Sequence, residues 1–123
     1  MAAQAGPVMH YLASSHLPSG ARPLGAPFAG QFAEGQVLSQ KVQLSAGKCY
    51  TVVALGLPPV TELDVELTAE GSQQALAQDE GAGPQAVLGS RDDCFAPKVG
   101  GPAVLTLRVT QGRGLAAAQM YQK

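Results

Sequence analysis

The residues of this chain that could do chemistry are few and scattered. Cys49 and Cys94 are its two cysteines, His10 and His16 its two histidines, and nine Asp and Glu are spread over 123 residues. Nucleophilic catalysis needs a serine or cysteine held against a histidine that takes its proton. Both histidines fall in the N-terminal segment, far from either cysteine, and Ser14-Ser15-His16 reads as a helix end rather than a triad fragment. Glycoside hydrolysis needs two carboxylates flanking a cleft. Acidic residues are present, but with no Trp and 5% aromatics there is little from which to build a sugar platform. Gly112, Gly114 and Ala117 in GRGLAA imitate a truncated dinucleotide fingerprint. The residues beyond them alternate instead of forming the helix that would bind a pyrophosphate, so the stretch reads as a hairpin turn. The chain is read as no enzyme.

The cysteines carry more information. Cys49 lies in KCYTVVALG on the same strand face as Thr51, Val53 and Leu55, which is taken as the core side, and Cys94 follows RDD and precedes Phe95. One reading pairs them in a disulfide; another leaves two buried free thiols, since unpaired Cys packs as a small hydrophobe. A zinc site has no CxxC to start from, and both histidines are in the wrong segment. The disulfide is the preferred reading. Closing so long a loop would stabilise the fold by about 4 kcal/mol, and it would place the chain in the periplasm, on the outer surface or in the secreted space. The first residues lack the basic n-region and unbroken apolar h-region of a secretory signal. The expectation is that Met1 stands where a signal has been removed.

What must position these residues is a β framework. From Phe28 onward the apolar residues recur with a period of two, as in half-buried strands. The segments FAGQFAE, QVLSQKVQL, KCYTVVALG, TELDVELTA, ALAQD, AVLG, AVLTLRVTQ and LAAAQMYQ read as strands, separated by turns that carry Gly or Pro. In TELDVELTA, Leu63, Val65 and Leu67 share one face, and Glu62, Asp64, Glu66 and Thr68 the other. Seven or eight such strands without a convincing long helix predict an all-β, antiparallel two-sheet sandwich of jelly-roll type. Ahead of it, PVMHYLASSH predicts a short helix with Pro7 at its first position, and LPSGARPLGAP an extended linker. The expected division is therefore helix and linker over 1–26 and sandwich over 27–123. A formal net charge of −1 with no basic block argues against nucleic acid as a partner. No apolar run is long enough to span a bilayer.

The succession EGQVLSQKVQLSAGKCYTVVALG, VTELDVELTAEG, LAQDEGAGPQAVLGS, DCF and LRVTQGRGLAAAQMYQK resembles the bacterial pre-peptidase C-terminal-like sandwich. It also resembles cell-envelope proteins of myxobacterial type, in which GKCYTVVA, VTELD, LAQD and a later cysteine recur in this order. The resemblance implies a secreted, non-catalytic module that accompanies enzymes or envelope assemblies for binding, folding support or attachment. It also implies calcium as a possible cofactor, at positions matching Asp64 and Glu66 on one strand and Asp79 and Glu80 in the turn that follows. Calcium takes six to eight oxygens, and DEGAG lacks the oxygen spacing of an EF-hand loop. The alternative for these acids is a solvated strand face and a polar turn. Two functional classes follow. One is a module for protein interaction, attachment or self-assembly, with the alanine-rich LAAAQMY as a small, flat packing surface. The other is a calcium- or carbohydrate-binding accessory domain that uses the loops around Asp79 and Asp92.

Overall fold

In a computed structural model of the chain, the described residues are 17–18, 20–25, 27–72, 74–79, 82–90 and 93–123. They form the strands β1 (Arg22–Pro23), β2 (Phe28–Phe32), β3 (Val37–Leu44), β4 (Tyr50–Gly56), β5 (Glu62–Ala69), β6 (Ala75–Gln78), β7 (Gln85–Leu88), β8 (Gly101–Gln111) and β9 (Gly114–Gln122). All pairing is antiparallel. One sheet runs β1-β9-β4-β7, with β2 following β1 along the same side of β9, and the other runs β3-β8-β5-β6. The chain is an all-β two-sheet sandwich, as the alternation predicts. The helix expected over PVMHYLASSH lies outside the described residues. Among the described residues no helix is long and apolar enough to cross a membrane.

The four-stranded sheet follows the simplest rule of strand packing. In β5, Leu63, Val65 and Leu67 are buried while Glu62, Asp64 and Glu66 between them are half-buried; in β8, Ala103, Leu105, Leu107 and Val109 are buried in the same way. These inward rows meet Tyr50, Val52, Ala54, Leu88, Ala116, Ala118 and Met120 of the opposite sheet in one core. Truncating one of its leucines to alanine would cost about 2–5 kcal/mol.

The five-stranded sheet is buried on both faces, and here the structure corrects the sequence. The face of β4 turned to the inter-sheet core carries Tyr50, Val52 and Ala54, not Thr51, Val53 and Leu55. The latter face outward, where Val53, Ala117 and Tyr121 form a second apolar cluster with Ala29, Val87, Leu17 and Ala21 packed against it. A strand apolar on both sides carries no alternation from which to tell its core face. The alanine-rich β9 is likewise not an open surface: Ala116, Ala118 and Met120 are in the core and Ala117 and Tyr121 are buried on the other side. The segment read as linker also takes part, since Arg22 and Pro23 pair with Gln122 and Tyr121. The buried Gln119 side chain donates from Nε2 to the carbonyls of Leu24, Gly25 and Met120 at 3.4, 3.2 and 2.9 Å, fixing the step from β1 to β2.

At one end of the sandwich the β8–β9 hairpin turns tightly under the β4–β5 connection. Gly112 has φ +83°, and a Cβ there would run into the backbone of Pro59, Val60 and Thr61. Glycine meets both requirements, the left-handed backbone and the close approach.

Candidate functional site

On the outer side of the four-stranded sheet lies an open depression of about 340 Å³, lined by Asp64, Glu66, Gln78, Asp79, Thr106, Arg108 and Thr110 together with the otherwise buried Val65. Strand register brings them together. Asp64 stands opposite Arg108 and Glu66 opposite Thr106 across β5 and β8, while Glu66 faces Gln78 on β6. Residues directly opposite on one face of an antiparallel pair have their Cβ atoms about 5 Å apart, so their side chains interact.

The Asp64 carboxyl is raised above its ordinary value of 3.8, first by partial burial and then by the negative charge of Glu62; Arg108 opposes the shift. Asp79 sits at the rim and is engaged by the backbone: its Oδ1 accepts from the Val65 N–H at 2.8 Å, and its own N–H donates to the Val65 carbonyl at 3.1 Å. Glu62 is engaged too, its Oε2 accepting from the Gly83 N–H at 3.1 Å. Two of the acids near this face thus brace the β6–β7 turn and the free side of β5.

Of the four acidic residues singled out for calcium, the structure brings Asp64, Glu66 and Asp79 to one depression, and Glu80 lies outside the described residues, as does Asp92. Among the described residues no group of three or more His, Cys, Asp or Glu is placed to hold a metal ion. Sequence reading missed Arg108, Thr106 and Thr110. The alternation of AVLTLRVTQ carries them to the polar side of β8, but only the pairing of β8 with β5 sets them beside the acids.

Cys49 and Cys94 are joined by a disulfide, their Cα atoms 5.4 Å apart. Its surroundings are backbone ladders. Tyr50 and Phe95 exchange N–H···O bonds of 2.8 and 2.9 Å, and Cys49 and Lys123 exchange bonds of 3.3 and 2.8 Å. The bridge therefore ties the β7–β8 connection to the start of β4, beside the far end of β9. Gly89, at φ +72°, is pressed against this junction, where a Cβ would lie 2.6 Å from the Tyr50 carbonyl oxygen. Disulfide sulfurs do not titrate, so this pair offers no nucleophile.

No family model matches the sequence, and no curated protein matches it. Solved structures do match. A periplasmic lysozyme inhibitor of g-type lysozyme from Aeromonas hydrophila, PliG, aligns at a TM-score of 0.60 and 15% identity over 87% of this chain and 91% of its own. The pre-peptidase C-terminal domain of collagenase from Bacillus anthracis aligns at 0.59 and 15% identity over 79% and 89%. At such identity the likeness is one of fold, and the two-sheet sandwich of this chain is a pre-peptidase C-terminal-like β fold.

Proposed function

We propose that this chain is a non-catalytic module of the extracytoplasmic space that binds a protein partner through the open face of its four-stranded sheet. One observation carries the reading: the two sheets differ in what their outer faces can offer. The outer face of the β1-β9-β4-β7 sheet is apolar and covered, with Val53 at 0% and Tyr121 at 1% exposure. The outer face of the other sheet presents Asp64, Glu66, Thr106 and Arg108 around a depression. A mixed-charge face of this kind selects a partner by complementary charge, and its acid-rich β5 row suits a protein that presents Lys or Arg. The oxidised Cys49–Cys94 pair supports residence in the periplasm, on the outer surface or in the secreted space. An envelope location also agrees with the resemblance to myxobacterial-type proteins. Protein binding by a fold neighbour, the g-type lysozyme inhibitor, supports the use of this sandwich for such a task.

The test is capture from an envelope extract by the immobilised chain and by an Asp64→Lys/Glu66→Lys variant. A protein retained by the first and lost by the second is the expected result. Equal capture by both, or none by either, overturns the assignment of this face.

A further inference from the structure

We infer that β3 is a self-pairing edge, through which two copies of the chain join their four-stranded sheets across a two-fold axis. The argument begins with Pro102. Its carbonyl accepts from the Glu70 N–H, so the backbone N and C=O of Pro102 point toward β5 and away from β3. Pro102 pairs with Gln43, which makes that a non-hydrogen-bonded pair. Because such pairs alternate with bonded ones, Leu38, Gln40, Val42 and Leu44 bond to β8. Val37, Ser39, Lys41 and Gln43 direct their N–H and C=O groups out of the sheet.

Among the described residues the other edges are blunted, and this one is not. β6 and β7 have four residues each, the β5–β6 pairing is interrupted by a bulge, and Pro23 and Pro27 interrupt the β1/β2 side. β3 has eight residues without proline or bulge, one charge, and Val37 at 42% exposure. Proteins guard such edges because an unpaired row of this length recruits another strand. Beside it lies an apolar gap between the sheets, lined by Leu24, Phe28, Val42, Leu105 and Met120 with Gln40 and Gln43 at the β3 side. A strand added to β3 would roof that gap.

The sequence VLSQKVQ chooses the occupant, because it is complementary to itself in one register. With Gln40 on the two-fold axis, Val37 pairs with Gln43 of the second copy and Ser39 with its Lys41, and every outward N–H and C=O of the four residues finds a partner. Leu38 then meets Val42 on the core-facing side. Moving the axis to residue 41 would oppose the two copies of Lys41 and leave Val37 unpaired, and moving it to residue 39 would leave Gln43 unpaired. Like charges directly opposite are destabilising, so charge and hydrogen bonding select the same arrangement. Such an isologous contact closes on itself and does not propagate. It stands independently of the partner-binding face.

Sedimentation of the full chain should give twice the chain mass, and Lys41→Pro should restore the single mass. Proline at position 41 lacks only an outward N–H, so the pairing of β3 with β8 survives, which circular dichroism and thermal unfolding would verify. Lys41→Ala keeps that N–H and should remain a dimer. Register is read separately: Gln40→Cys should cross-link to its own copy on oxidation, because the non-bonded pair on the axis brings its Cα atoms within disulfide range. Lys41→Cys should not. A single mass for the wild type at every concentration, a dimeric but folded Lys41→Pro, or cross-linking at position 41 instead of 40 would each overturn the proposal.

Discussion

Asp64 has the most informative surroundings of any single side chain in the depression. Burial, then Glu62, hold its carboxyl above 3.8, with Arg108 pulling the other way. The folded chain thus keeps this proton at pH values where the unfolded chain has already released it. Stability contributed by the group is therefore full below 3.8, falls as pH rises through the raised folded value, and is flat above it. Asp64→Asn removes that slope. Urea midpoints measured from acid to neutral pH should show the variant gaining on the wild type as pH rises, and ending the more stable of the two at pH 7. A wild type that is the more stable at pH 7 would mean that attraction to Arg108 outweighs burial and Glu62.

Among the elements, the β7–β8 connection is the one that the disulfide ties down. Its described residues reach the rest of the sandwich through the Tyr50–Phe95 exchange, the bonds from the Gly47 N–H to the Pro97 carbonyl and from the Thr51 hydroxyl to the Gly89 carbonyl, and the disulfide, which fixes its path against β4. Replacing Cys49 and Cys94 together by alanine should cost about 2–5 kcal/mol, read as a lowered midpoint in chemical unfolding, while capture by the open sheet face is retained. Loss of capture at unchanged stability would give the pair a role in binding. The strands themselves were legible because eight segments alternate and are bounded by glycine or proline; β5 was assigned to the correct faces for the same reason. β4 and β9 could be found but not oriented, since Thr51, Val53 and Leu55 look as core-like as Tyr50, Val52 and Ala54. β1 was illegible: two residues that include Pro23 have no period, and only the far end of β9 makes them a strand. For the site, Asp64, Glu66 and Asp79 were visible as acids on one side of a strand and its turn. Arg108 entered only through register, which depends on a partner more than forty positions away.

At the scale of the whole molecule, Leu17 and Ala21 pack on what would otherwise be an apolar face of the five-stranded sheet. We propose that 27–123 holds the self-sufficient part of the sandwich, with β1 as an added edge strand. Removal of 1–26 should leave a chain that still unfolds cooperatively, at a lower midpoint, and that binds a hydrophobic dye through the uncovered Val53, Ala117 and Tyr121. Complete loss of the transition would make the preceding residues part of the domain. The order of the strands has a consequence for how the chain comes to be folded. β8 lies between β3 and β5, and β9 lies between β4 and the β1/β2 pair, so the hairpin made last supplies the middle of both sheets. Until Gly101–Gln122 has been synthesised, β3 has no strand to join and neither do β1 and β2. Non-local pairing of this kind is slow, because loop entropy is lost before contacts return it. The strands translated before Gly101 therefore wait for the β8–β9 hairpin before either sheet can be completed.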